Sequence, residues 1–252
     1  MPKIAANLSL LFTEVPFQQR FQAAADTGLF DAVEFQFPYD QDLDQLTTIA
    51  QKAGLAVALI NAPPGDSFGL AALPDQDTGD FRSSIELALR YATALKAPKL
   101  HVMAGIAESS PHTNDIYRRN IAMAARMAAD EGILIVVEPI SRQSIPGYYL
   151  HSLDQAMELI EGIPNVKILF DVFHIQRIHG DLTRHLTQLF NHGMLGHIQI
   201  ASVPDRTEPG SGEVNDHHLF QLIDALPWHD PIGAEYLPAG ATHEGLGWLH
   251  AL

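Results

Sequence analysis

The chain contains no cysteine, which removes disulfide bonds, thiolate metal sites and cysteine nucleophiles together. Cations are scarce as well: 15 Lys and Arg stand against 30 Asp and Glu, a formal charge of −15. Nucleic acid and anionic membranes bind through clustered Lys and Arg, so neither is expected as a partner. An anionic small molecule is not barred, because one pocket can be locally basic or hold a metal. No uninterrupted apolar run approaches the roughly 18 residues of a membrane span. Residues 1–7 lack the apolar stretch of a secretory signal, so a soluble, cytoplasmic protein is the expectation.

What is present is material for a sizeable core: 46% of the 252 residues are hydrophobic. Short apolar runs recur at 4–8, 32–35, 56–60, 99–103, 133–138, 166–171, 196–201 and 231–236. Several are continuously apolar, as parallel strands covered on both faces are. Segments of helical spacing separate them, as in Phe17, Phe21 and Ala24 or Ile85, Leu89 and Ala92. Gly28, Gly54, Gly132 and Gly193 follow the expected helix ends, and Asp115, Ser152 and Asp216 sit where N-caps are useful. Eight such units predict a single-domain (β/α)8 TIM barrel over residues 1–252, with a short final helix because the last strand lies so near the end. A doubly wound sheet is the main rival, but no Gly-rich phosphate turn follows the first strand. A Pro/Gly/Asp-rich stretch at 63–80 reads as a loop over an active site.

Barrel chemistry sits at the C-terminal ends of the strands. The fifth, sixth and eighth runs close on Glu138, Asp171 and Glu235, and the seventh carries Gln199. A carboxylate ending an apolar strand is costly to bury unless it is paired or bound to a cation. Any one of the four has a plain reading as a salt bridge or helix cap. Three acids converging on one cavity would repel without a counter-charge, and oxygen donors of this kind suit a hard divalent ion, Mg²⁺ or Mn²⁺. His174, three residues after Asp171, and Arg206, in the loop after the seventh strand, fall near the same rim; an arginine there can clamp a carboxylate. Glu34 and Asn7, at the ends of the second and first strands, are candidates for substrate contact or for supporting the groups that make it. His101 reads as packing or support. The 13 histidines do not gather at strand ends as a zinc phosphoesterase cluster requires.

Together these segments resemble the hydroxypyruvate isomerase family of xylose isomerase-like barrels. The resemblance rests on 6–17 (ANLSLLFTEVPF), 33–40 (VEFQFPYD), 137–140 (VEPI) with 146–148 (PGY), 170–176 (FDVFHIQ), 180–184 (GDLTR), 196–201 (GHIQIA), 208–213 (EPGSGE) and 233–240 (GAEYLPAG). It implies that Glu138, Asp171, Gln199 and Glu235 hold the divalent metal, that Glu138 and Glu235 also move the proton, and that His174 and Arg206 contact substrate. The implied reaction takes hydroxypyruvate to tartronate semialdehyde, or isomerises a 2-oxo-tetronate homologue, by a 1,2-proton shift through an enediolate. Two places depart from the family pattern. An Asn followed by an Arg-Asp pair usually comes after the Glu-Pro-Ile, where this chain has Ser141-Arg142-Gln143-Ser144, and Leu237 stands where a lysine is usual. The alternatives are a ketose 3-epimerase acting on a neutral sugar and a non-catalytic barrel that binds sugar acids. A shortened last helix leaves room for a homo-oligomer contact.

Overall fold

In the computed structural model, which describes residues 2–74 and 80–251, eight parallel strands hydrogen-bond in sequence order and close into a barrel. They are β1 (Ile4–Asn7), β2 (Ala32–Phe35), β3 (Ala56–Asn61), β4 (Lys99–His101), β5 (Leu134–Val137), β6 (Val166–Asp171), β7 (Leu195–Ile200) and β8 (Ile232–Ala234). All eight expected strands are found, with ends displaced by no more than a few residues. β1 pairs with both β2 and β8, which completes the ring.

Among the described residues, eight α-helices cover it: α1 (Phe17–Asp26), α2 (Leu43–Ala53), α3 (Asp80–Leu95), α4 (Pro111–Asp130), α5 (Leu153–Ile160), α6 (Val172–Ile178), α7 (Leu182–Asn191) and α8 (Asp216–Ala225). Side-chain caps fix several starts. Asp42 accepts from the Gln45 N–H, Ser152 from Gln155, and Ser110 from Thr113 with Pro111 in the first turn. Two expected caps are displaced. Asp115 lies inside α4, whose cap is Ser110, and Asp216 is the first residue of α8, which Asn215 caps. Gly54, at φ 73°, ends α2 in the left-handed conformation.

Among the described residues no α-helix follows β8. The expected short final helix is replaced by two 3-10 turns, Thr242–Glu244 and Leu246–Ala251. Trp248 stacks against Phe220 of α8 and donates Nε1–H to the Tyr236 hydroxyl, so apolar packing holds this segment down without a full helix. The stretch 63–80 is a loop as far as it is described, and residues 75–79 lie outside the described residues. Gly69, at φ 128°, bridges it to Ala104 beyond β4 with no room for a side chain against Met103 and Gly105. None of the described helices is long and apolar enough to cross a membrane.

Below the mouth the barrel is filled with apolar layers. Ala5, Ala32 and Ala58 form one cluster, and Leu59, Val136 and Leu169 another. Polar side chains enter mainly near the C-terminal ends of the strands.

Candidate active site

Each strand delivers one buried polar residue at or next to its C-terminal end: Asn7, Glu34, Asn61, His101, Glu138, Asp171, Gln199 and Glu235. The parallel register aligns these ends, and Asp171 pairs directly with Gln199 across β6 and β7. Asp171 is also the N-cap of α6, its Oδ1 accepting from the Phe173 N–H at 2.8 Å. That bond turns Oδ2 toward the mouth, where it lies 3.3 Å from Arg206 Nη2 and 3.7 Å from His174 Nε2.

Arg206 is the main counter-charge. Its Nη2 lies 2.5 Å from Glu235 Oε2, and its guanidinium stacks on the Phe173 ring at 5.0 Å. The residue sits at φ 56° in a loop tied to β8 by the Leu237 N–H donating to its carbonyl. Its Nε is buried without a partner. Glu235 Oε1 also accepts from Gln36 Nε2 at 2.9 Å and Asn7 Nδ2 at 3.2 Å.

Glu138 is less well satisfied. Its Oε1 is buried with no hydrogen bond, 3.8 Å from His174 Nε2, and its Oε2 lies 3.6 Å from His101 Nε2. Burial raises the Glu138 pKa well above the carboxylate range, and the nearby Asp171 and Glu235 raise it further. Asp171 is raised by burial against the opposing pull of Arg206, and Glu235 likewise to about 7. One arginine therefore faces three carboxylates, each of which resists ionising. A hard cation relieves that imbalance, and the orphaned Glu138 oxygen is a ready ligand.

Glu138, Asp171 and His174 bring one ligand atom each within 4.8 Å of one another, a group that can hold a metal ion. The tautomer of His174 bears on its part. The Ser141 N–H points at His174 Nδ1 at 3.4 Å, which makes Nδ1 the acceptor and leaves the proton on Nε2, facing Glu138 and Asp171. So held, His174 is a hydrogen-bond donor at the mouth. Burial keeps its pKa well below the usual value, with Arg206 adding to the shift.

The structure brings Glu138, Asp171, Glu235, His174 and Arg206 together around the mouth, with Gln199 and Asn7 beside them. Glu34 lies beneath, fully buried, with both oxygens engaged by Asn7, Gln199 and His197. Two departures from the family pattern also find their places. Ser144 Oγ meets Ser141 Oγ at 2.9 Å and accepts from Arg177 Nη1 at 3.3 Å, while Leu237 is 52% exposed at the rim.

Two contributors escaped the sequence reading. Gln36 follows β2 directly, and a polar residue there was the available signal. His197 lies inside an apolar run and bonds Glu34 across the barrel. His174, expected near this rim, and His101, expected as packing or support, both face Glu138; the closing of the barrel, not their spacing, brings them there.

Comparison with known proteins agrees with this fold. Residues 21–252 match the family model described as xylose isomerase-like TIM barrel. The chain is 42% identical to the 2-oxo-tetronate isomerase of Cupriavidus necator, covering 99% of this chain and 98% of that one. It is 38% identical to the hydroxypyruvate isomerase of Escherichia coli over the same shares of the two chains. A crystal structure from Brucella melitensis, described as an AP endonuclease of family 2, superposes with a TM-score of 0.95 at 39% identity, covering 100% of this chain and 99% of that one.

Proposed function

The chain belongs to the hydroxypyruvate isomerase and 2-oxo-tetronate isomerase family of xylose isomerase-like barrels, and from that membership we propose that it isomerises a small hydroxy-oxo acid, hydroxypyruvate or a 2-oxo-tetronate, by moving a proton between adjacent carbons. The observation that carries this is the convergence of three buried carboxylates on one mouth with a single arginine and an unpartnered Glu138 oxygen.

Glu138, Asp171, Glu235 and the Gln199 carboxamide would hold the divalent ion, Mg²⁺ or Mn²⁺. When bound, such an ion supplies Lewis acidity toward the substrate's carbonyl and hydroxyl oxygens. The protein's own groups do the rest. One of Glu138 and Glu235 removes the carbon-bound proton and the other delivers it to the neighbouring carbon, through an enediolate. In the metal-free site burial raises the pKa of both. His174 offers Nε2–H to a substrate oxygen. Arg206, with Nε unpartnered, offers an N–H edge to the substrate carboxylate. Closed strand ends hold these groups in position before substrate arrives, which is where much of the rate arises.

The test is purified protein with Mg²⁺ or Mn²⁺, hydroxypyruvate and 2-oxo-tetronate, followed by proton NMR in D2O. Appearance of the aldehyde isomer with deuterium at the receiving carbon is the expected result. Epimerisation of neutral ketoses with no turnover of either acid would replace this function with the epimerase one. Binding without turnover would leave a sugar-acid binding protein.

A further inference from the structure

A carboxamide end has two faces, and only its oxygen can bind a hard cation. Side chains beneath the mouth decide which face Gln199 presents. Gln199 Nε2 donates to Glu34 Oε1 at 2.7 Å, and the same oxygen accepts from Asn7 Nδ2 at 3.0 Å. Glu34 is completely buried and its other oxygen is taken by His197 Nε2 at 2.8 Å. His197 is oriented in turn. Lys99 Nζ, which can only donate, lies 3.5 Å from His197 Nδ1, so the ring proton sits on Nε2 and points at Glu34. Lys99 is anchored at the far end of the barrel by Asp230 at 2.7 Å. Gly233 of β8 makes room for the arrangement, since a methyl group there would overlap both Glu34 oxygens.

Every link in this column runs donor to acceptor toward Glu34. We infer that Glu34 is a positioning residue, held by His197 and Lys99, that locks the Gln199 amide nitrogen downward and so makes Gln199 an oxygen ligand at the mouth. The inference rests on the cation site proposed above. Partners behind metal ligands typically change metal affinity by about 10- to 100-fold when altered. Glu34→Gln keeps the shape but can satisfy Gln199 from either face, so the amide is free to turn.

The experiment is Mn²⁺ titration followed by the loss of the free-ion EPR signal, on the native protein, Glu34→Gln, Gln199→Glu and the double variant, with thermal unfolding of each metal-free protein. Glu34→Gln is expected to weaken Mn²⁺ binding by about 10- to 100-fold with little change in melting temperature. Gln199→Glu is expected to restore affinity in the Glu34→Gln background, where the new amide donates to the new carboxylate. In the native background it is expected to help far less, because two carboxylates then face each other. Native-like affinity in Glu34→Gln, or an equal effect of Gln199→Glu in both backgrounds, overturns the role of Glu34 while leaving the cation site standing. Absence of Mn²⁺ binding by the native protein overturns both. Should Glu34→Gln not fold, the side-chain amide protons of native Gln199, assigned by their loss in Gln199→Glu, provide a second reading. Protection from exchange is expected, and rapid exchange overturns the lock.

Discussion

Strands β1–β4 end in Asn7, Glu34, Asn61 and His101, whereas β5–β8 end in Glu138, Asp171, Gln199 and Glu235. In the first set Glu34 holds two amides and a ring and Asn7 bridges Glu34 to Glu235, while His101 Nε2 is buried without a hydrogen-bond partner. In the second set, Glu138 keeps an unpartnered oxygen, and Asp171 and Glu235 share one arginine. One half of the ring is thus an orienting frame and the other an unbalanced cluster of acids. In the proposed function, reactivity resides where charge is left unbalanced, and precision comes from Asn7 and Glu34, whose side chains are paired donor to acceptor.

If the halves divide the work in this way, substitutions in them should differ in kind. Glu138→Gln or Glu235→Gln is expected to lower kcat by about 10²- to 10⁴-fold with the melting temperature kept. Near-native turnover in either variant would remove that residue from proton transfer. Arg206→Ala is expected to raise KM for carboxylate substrates by about 10- to 100-fold, the loss of a charge-assisted pair of hydrogen bonds. A neutral sugar affected equally would argue against the clamp. In the frame, Gly233→Ala is expected to cost about 1–3 kcal/mol of stability, because the new methyl group collides with the buried Glu34 carboxylate. Urea unfolding measures it, and an unchanged midpoint would mean that Glu34 has room to move.

The two halves should also differ in the sign of their pH dependence. Burial lowers the His101 pKa from 6.5 to about 3, so the unfolded chain takes up a proton that the folded one refuses as pH falls through that window. Stability on account of His101 therefore drops with falling pH below about 6.5. Glu235 acts oppositely. Its pKa is raised from 4.5 to about 7, so the folded chain holds the proton between those values and gains stability as pH falls. Metal-free His101→Asn is expected to lose about 1 kcal/mol less than the native protein between pH 6.5 and 5.5. An identical slope in thermal unfolding would show that His101 titrates normally.

The barrel was legible because buried parallel strands read as continuous apolar runs, and eight of them at regular spacing leave few alternatives. The acidic half of the candidate site was legible for the same reason: Glu138, Asp171 and Glu235 each end an apolar run, where an acid is conspicuous. The orienting half was harder to read. Glu34 and His197 are 163 residues apart and meet only because the barrel closes. His101 gave no sign that it faces Glu138, since a histidine in an apolar strand has the same pattern whichever way it points. The final segment defeated the helical expectation because aromatic packing on Trp248 substitutes for helix length.

Anomalous diffraction from crystals grown with Mn²⁺ tests the convergence of β5–β8 most directly. One strong peak enclosed by the Glu138, Asp171 and Glu235 carboxylates and the Gln199 oxygen is the expected result. A barrel mouth with no peak, or manganese held only at surface acids, would contradict it.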